Sequence, residues 1–257
     1  MKTTPRRSRW AAAGAALASL VLLALPAHQA TAADYYAAAQ GKTGAELKSA
    51  LHGIIKNQSK ISYSAVWEAL KVTDQDPANS ANVILLYSGR SQSKSTNGGN
   101  ANDWNREHVW AQSHGDFGTV AGPGTDLHHI RPEDVTVNSI RGNKDFDLGG
   151  TLVAETTDSY TDSNSFEPRD EVKGDVARMI LYMAVRYEGG DGFANLEVND
   201  SINGSVPWHG RISVLKQWND IDPPDAFEQR RNQIIFDTYQ HNRNPFIDHP
   251  EWVEAIW

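Results

Sequence analysis

Three short stretches decide the fold and the chemistry of this 257-residue chain: Asn105-Arg-Glu-His-Val-Trp110, Asp126-Leu-His-His-Ile-Arg-Pro132 and Val137-Asn-Ser-Ile-Arg-Gly-Asn143. Together they supply an imidazole that can accept a proton, oxygen ligands that suit a hard divalent cation, and guanidinium groups that bind phosphate. These are the parts needed to hydrolyse a phosphodiester with one divalent ion. The pattern therefore predicts a metal-dependent nuclease.

The first 32 residues have the composition of an export signal. Basic residues precede an apolar run over residues 10–25, and Pro26 and the small residues Ala30-Thr-Ala32 follow. This run is shorter than the roughly 20 apolar residues of a membrane span, so an uncleaved anchor is the less favoured alternative. We expect a signal peptide over residues 1–32, cleavage after Ala32, and a secreted nuclease domain over residues 33–257 that no longer contacts the membrane.

The charge of the mature chain limits how it can bind nucleic acid. The full chain has a net charge of −8, and removing residues 1–32 lowers it to −12, because that segment holds four basic residues and no acidic one. Non-specific affinity for DNA normally comes from many cations that neutralise phosphates. We therefore expect a local basic site and a metal ion to hold the substrate. Since the chain has no cysteine, its stability depends on a core and not on disulfides.

The hydrophobic pattern predicts several helices and few strands. Thr43 to Glu46 has the spacing of a capping box before an apolar helical face that includes Leu47 and Leu51, and Val66 to Leu70 indicates a second helix. The run Val83–Tyr87 predicts a buried strand. Polar or Gly-rich loops are expected over residues 88–103, 115–125 and 156–168, and helices after Asp170, near residues 214–218 and over residues 227–239.

The helix after Asp170 has the strongest period, with Val176, Met179, Ile180 and Met183 on its apolar positions. Methionine at this spacing packs in a core far more often than it takes part in chemistry. The chain shows no alternation of strands and helices that would predict a parallel sheet. We therefore predict an α+β fold, in the form of a single, mostly helical domain.

The three stretches resemble the motifs of the endonuclease I family of secreted or periplasmic bacterial nucleases. The likeness continues through residues 166–178 and 240–252 and spans roughly residues 43–257. It implies a ββα-metal (His-Me) finger embedded in a largely helical fold. The first strand of this finger would end at Glu107 and His108, the second would carry Asp126 to Ile130, and the helix would start near Asn138.

The resemblance also implies the roles of three side chains. His108 would be the general base, while Glu107 and Asn138 would hold Mg²⁺, with Mn²⁺ or Ca²⁺ as alternatives. The residue types agree with these roles, because a neutral imidazole accepts a proton near pH 7 and a carboxylate with an amide oxygen suits a hard ion. Neighbours on a regular strand point to opposite faces, so the strand must end or bulge at Glu107 and His108 for both to reach one site.

Two arginines are the candidates for contacts with the substrate phosphate. Arg141 lies three residues after Asn138 and would share its helical face, and Arg131 precedes Pro132 in a predicted turn. No motif offers a set of side chains for reading base edges. We therefore expect an endonuclease without sequence specificity that acts as a monomer, without a protein partner, on DNA and also on RNA.

Two other classes of protein remain open at this point. A secreted zinc hydrolase could use Asp126, His128 and His129, although zinc needs a further protein ligand that the sequence does not identify. We prefer structural roles for these three residues, with one imidazole packed inward. A non-catalytic extracellular binding module is the second alternative, and it would retain nucleic acid without turnover.

Overall fold

A computed structural model describes Met1 and residues 35–257 of the chain. The predicted signal peptide and its cleavage site lie almost entirely outside the described residues. Over residues 35–257, no helix is both long enough and apolar enough to cross a membrane.

Residues 35–257 form eight α-helices and ten short strands. The helices are α1 (Gly44–Ile55), α2 (Tyr63–Thr73), α3 (Val135–Arg141), α4 (Lys173–Arg186), α5 (Ile212–Ile221), α6 (Ala226–Ile234), α7 (Pro245–Asp248) and α8 (Trp252–Ile256). The strands are β1 (Asn82–Ile84), β2 (Ser91–Ser93), β3 (Trp104–His108), β4 (Ile130–Asp134), β5 (Asp145–Phe146), β6 (Thr151–Leu152), β7 (Tyr160–Thr161), β8 (Ser165–Glu167), β9 (Glu197–Val198) and β10 (Trp208–His209). The fold class is α+β with more helix than strand, as predicted.

Helix α4 is the centre of the fold. All fourteen of its residues are buried, and it packs against α1, α5 and α7. Met179 and Met183 lie in the main hydrophobic core, as their spacing predicted. The helix begins at Lys173, after a 3-10 turn over Asp170–Val172, so Asp170 is not its N-cap.

The first two helices form where the apolar period predicted them. Leu47, Leu51 and Ile55 of α1 are buried, but Thr43 makes no side-chain hydrogen bond at its N-terminus, so the predicted capping box is absent. Ser62 caps α2, because its hydroxyl accepts a hydrogen bond from the backbone N–H of Ala65.

The predicted strand and two of the predicted loops differ from the structure. Strand β1 ends at Ile84, and the buried residues 85–87 follow it outside any strand, with a single backbone hydrogen bond from Leu86 to Pro132 of β4 before the turn at Gly89, whose φ is 67°. The polar segment 88–103 contains β2, which pairs with β1, and segment 156–168 contains β7 and β8. These strands are short and polar, so composition alone favoured loops.

Strands β3 and β4 and helix α3 form a continuous β-β-α unit. The strands are antiparallel, with Glu107 opposite Arg131 and His108 opposite Ile130. Asp134 ends β4 and caps α3 by accepting hydrogen bonds from two backbone N–H groups. Strand β3 ends at His108 as predicted, but β4 begins at Ile130, so residues 126–129 precede it. Helix α3 begins at Val135, three residues before Asn138.

Candidate active site

The end of β3 and the exposed side of α3 enclose a polar cavity of about 240 Å³. Its lining residues come from α2, β3, the segment after β3, and α3. They are Tyr63, Arg106, Glu107, His108, Ala111, Gln112, Asn138 and Gly142. The structure therefore brings together the three side chains that the resemblance assigned to the base and the metal, because β3 ends where neighbouring residues can reach the same space.

Glu107 is held by one carboxylate oxygen. Its Oε1 accepts hydrogen bonds from the Tyr87 hydroxyl at 2.7 Å and from Arg141 Nη1 at 2.8 Å. Among the described residues no side chain donates to Oε2, although Glu107 is only 1% exposed. Burial raises the pKa of Glu107, whereas Arg141 and Tyr87 act to lower it. The carboxylate is thus fixed, and one of its oxygens remains free beside the cavity.

Asn138 is oriented in the same way by its amide nitrogen. Nδ2 donates a hydrogen bond to Asn105 Oδ1 at 2.6 Å, across the gap between α3 and β3. This contact uses the donor side of the amide and leaves Oδ1 available as an acceptor. Glu107 and Asn138 therefore supply the carboxylate and amide oxygens that a hard divalent ion prefers.

His108 is a neutral imidazole whose tautomer is set by the backbone. Nε2 lies 3.1 Å from the carbonyl oxygen of Gly124. Since a carbonyl oxygen can only accept, Nε2 carries the proton and Nδ1 is the nitrogen that can take one up. Burial lowers the pKa of His108 to about 4, so the ring is neutral at pH 7.

The loop over residues 112–125 fixes the imidazole from the outer side. The Gln112 amide donates to the carbonyl oxygen of Gly118 at 2.8 Å and lies 3.3 Å from His108 Nε2. Gly122 adopts a φ of 126°, a conformation that favours glycine, immediately before the turn Pro123–Thr125 that presents the Gly124 carbonyl. The Gly-rich composition of this loop thus allows one backbone acceptor to lie against the His108 ring.

Arg141 is a structural support of the site. Its Nη1 contacts Glu107 Oε1 and the His108 carbonyl oxygen, the latter at 2.6 Å, and Nη2 donates to the Val109 carbonyl oxygen at 2.5 Å. The side chain is fully buried. In this structure a phosphate cannot reach Arg141, so the predicted phosphate contact is replaced by contacts that hold the end of β3.

Arg131 lies away from the cavity. Its Nε is 2.5 Å from Asp74 Oδ1 and its Nη1 is 3.2 Å from Asp175 Oδ2, and only 2% of the side chain is exposed. Arg231 pairs with the same Asp74 carboxylate. Arg131 therefore belongs to a buried ion-pair network that joins β4 to α4 and α6, and its predicted phosphate contact is not available in this structure.

Arg106, which is not among the predicted site residues, lines the cavity beside Glu107. Its guanidinium carbon lies 3.5 Å from the centroid of the Tyr63 ring and 4.0 Å from that of Trp67. The signal that could have found it was its place in the first motif, directly before the carboxylate.

Asp126, His128 and His129 form a hydrogen-bonded network that is buried in the described part of the chain. Asp126 accepts hydrogen bonds from the hydroxyls of Tyr182 and Tyr187 at 3.0 and 2.9 Å, and further ones from Gln58, Gln240 and the backbone N–H of His128. Each imidazole places Nε2 against a backbone carbonyl oxygen. These contacts favour the structural role for all three residues over a zinc site.

A second histidine cluster lies behind Arg141. His114, Asp145 and His209 are fully buried, and their possible ligand atoms all lie within 4.8 Å of one another. Within residues 35–257, Asp145 Oδ1 accepts no well-aligned hydrogen bond, although His209 Nδ1 lies 3.0 Å from it, and such an oxygen would suit a metal ligand. Both nitrogens of His114, however, lie against carbonyl oxygens, at 2.5 and 2.8 Å, so at least one of them is engaged in donating a hydrogen bond to the backbone. His209 Nε2 is 3.3 Å from Arg141 Nη2, so this cluster supports the arginine that supports Glu107.

Comparison with known proteins gives a consistent assignment. Residues 43–251 match the model of the family described as Endonuclease I. The chain is 60% identical to the "Extracellular ribonuclease" of Bacillus subtilis (strain 168) over 257 residues, which cover 99% of this chain and 89% of that protein. It is 65% identical to the "Extracellular ribonuclease" of Bacillus amyloliquefaciens over 224 residues, which cover 87% of this chain and 78% of that protein. A family match of this length and relatives of this identity identify a phosphodiester-cleaving nuclease, and the chain belongs to the endonuclease I family.

Proposed function

We propose that residues 33–257 are a secreted, monomeric endonuclease that hydrolyses phosphodiester bonds of RNA and DNA without sequence specificity. One observation carries the proposal: a neutral imidazole, a carboxylate and an amide side chain line a single cavity. Both relatives are named ribonucleases, which favours RNA as a substrate. Their names and the signal-like composition of residues 1–32 support secretion.

The residues at the cavity fit a divalent metal ion. Glu107 Oε2 and Asn138 Oδ1 would hold it, and the remaining positions would be filled by water and by the substrate. An ion bound there neutralises the negative charge that develops on the phosphate during the reaction. Mg²⁺ suits this ligand set best, with Mn²⁺ or Ca²⁺ as alternatives.

His108 would act as the general base of the reaction. Nδ1 takes a proton from a water molecule while the water oxygen forms a bond to phosphorus and the bond from phosphorus to the leaving oxygen breaks. The Gly124 carbonyl keeps the other nitrogen protonated throughout, so the ring accepts the proton in one orientation only. The leaving oxygen takes a proton from solvent. The family implies that the products carry 5′-phosphate ends.

Arg141 and Tyr87 would act as positioning residues. They occupy Oε1 of Glu107 and so prevent the carboxylate from rotating away from the cavity. The Arg141 contacts with two carbonyl oxygens hold the adjacent His108 at the same time. One buried cation thereby fixes both the metal ligand and the base.

A cleavage assay with purified residues 33–257 tests this function. We expect the protein to cut both single-stranded RNA and supercoiled plasmid in Mg²⁺, and to stop cutting in EDTA. A zinc hydrolase would instead copurify with one equivalent of zinc, and a binding module would retain both substrates uncut. Either result, or full activity in EDTA, would contradict the proposal.

A further inference from the structure

Arg106 is clamped in place by the first turn of α2. Its guanidinium group lies over the rings of Tyr63 and Trp67, and Nη1 donates a hydrogen bond to the Tyr63 carbonyl oxygen at 2.7 Å. Contacts of this kind with aromatic faces hold the planar group in one orientation. The side chain is half-buried and lines the cavity together with Tyr63. It is thus a rigid cation at the edge of the site.

This cation has no acidic partner among the described residues. Arg131 and Arg141, the other arginines of the β-β-α unit, both form ion pairs with carboxylates. Among residues 35–257 no carboxylate lies within salt-bridge distance of Arg106, and its guanidinium is charged at any physiological pH. Arg230, the other arginine of residues 35–257 without a carboxylate partner, donates to two backbone carbonyl oxygens of α2, whereas Arg106 lines the cavity, where an external anion can reach it.

The position of Arg106 decides which anion it suits. It directly precedes Glu107, and both residues line the same cavity. A strand of nucleic acid whose reactive phosphate lies at Glu107 and His108 must pass other parts of that cavity, and Tyr63 offers an aromatic ring there. Phosphate oxygens match the fork of a guanidinium.

We propose that Arg106, held by Tyr63 and Trp67, binds a phosphodiester group of the substrate strand at the edge of the active-site cavity. This inference rests on the proposed nuclease function. It assigns to Arg106 the phosphate contact for which Arg131 and Arg141 are too deeply buried. Because the guanidinium is already oriented, little side-chain entropy is lost when the phosphate binds.

Salt-dependent binding separates this role from a purely structural one. All variants carry His108→Ala to prevent cleavage, and the probe is a fluorescein-labelled 12-nucleotide oligouridylate in Mg²⁺. Arg106→Gln keeps a planar donor against Tyr63 but removes the charge. We expect it to weaken binding about tenfold and to reduce the slope of log affinity against log salt by about 0.7, the contribution of one single-strand phosphate. Lys42→Ala, which removes an exposed cation outside the cavity, should change neither quantity.

An unchanged affinity and slope in folded Arg106→Gln would overturn the inference. If that variant fails to fold by circular dichroism, Arg106→Lys replaces it. Lysine keeps the charge but not the fork, so an unchanged slope with at least about threefold weaker binding supports the role, and unchanged affinity contradicts it. Cleavage of the same RNA by the protein with His108 intact tests the proposed nuclease function separately. A failure of that function is thereby distinguished from a failure of the proposed phosphate contact of Arg106.

Discussion

The motifs supply two groups of polar side chains, one at the cavity and one around Asp126. The two groups differ in how many of their oxygen atoms lack a hydrogen bond. At the cavity, Glu107 and Asn138 each use one polar atom for a protein contact and keep one oxygen free. In the network around Asp126, both carboxylate oxygens accept hydrogen bonds from several donors. The residue types are similar, so the comparison favours the cavity, where ligand atoms remain free, over the Asp126 network as the candidate site.

The base at the cavity gives the sharpest test of this comparison. His108→Ala should lower the cleavage rate by about 10²- to 10⁴-fold, because only the proton acceptor is lost. Thermal unfolding and metal binding should remain close to those of the unsubstituted protein. Wild-type turnover in the folded variant would show that the cavity is not where water is activated.

The Asp126 network should behave in the opposite way. Asp126→Ala leaves the hydroxyls of Tyr182 and Tyr187 without their shared acceptor, and the free energy of unfolding should fall by about 3 kcal/mol. The midpoint of a metal titration, measured on the fraction that remains folded, should not move. A shifted midpoint with unchanged stability would favour the zinc-site alternative over the structural role.

The two oxygen ligands should affect metal affinity more than the rate at saturating metal. Glu107→Gln and Asn138→Ala should each raise the Mg²⁺ concentration for half-maximal initial rate by at least about tenfold. Glu46→Gln, which removes an exposed carboxylate on α1, is the matched control and should leave the midpoint in place. If the midpoints of both test variants equal that of the control, neither residue holds the ion.

The pH dependence of stability provides the smallest effect. Burial lowers the pKa of His128 to about 4 and that of His129 to about 3, so between pH 6.5 and these values the unfolded chain binds more protons than the folded one. The contribution of these two histidines to the free energy of unfolding is therefore fully present above pH 6.5 and falls as the pH is lowered. Burial raises the pKa of Glu133 to about 7, which acts in the opposite direction between pH 4.5 and 7.

A variant isolates the histidine contribution. The loss of unfolding free energy between pH 7.5 and pH 5 should be about 1 to 2 kcal/mol smaller in His128→Gln than in the unsubstituted protein, since Glu133 affects both equally. Urea titrations at the two pH values measure this difference. An identical pH dependence in both proteins would mean that His128 is not kept neutral in the folded state.

The sequence predicted the parts of the molecule that depend on repeated local patterns. The apolar period of α1 and α4 located both helices and the burial of Met179 and Met183, and the motifs located the end of β3 at His108. It could not locate the polar strands β7 and β8, because their pairing depends on partners distant in the chain and not on their own composition.

The sequence also could not rank the arginines. Arg106, Arg131 and Arg141 all lie in the motifs, and which of them meets a carboxylate is decided by Asp74, Asp175 and the geometry of Glu107 after folding. The sequence gives the number of charged residues, whereas the tertiary contacts determine which of them form ion pairs. This is why the cation at the cavity differs from the two that the motifs suggested.

The contacts of Arg141 have a consequence for how the molecule can be divided. Through this one side chain the end of β3 is linked to Glu107, to the helix that carries Asn138 and to His209, while Tyr87 holds the same carboxylate from the other side. These contacts therefore draw on positions from 87 to 209 of the chain. A fragment that stops before β10 contains the three motifs around Glu107, Asp126 and Asn138 but lacks one of these supports, so a truncation or a split-enzyme design should not cut within that interval.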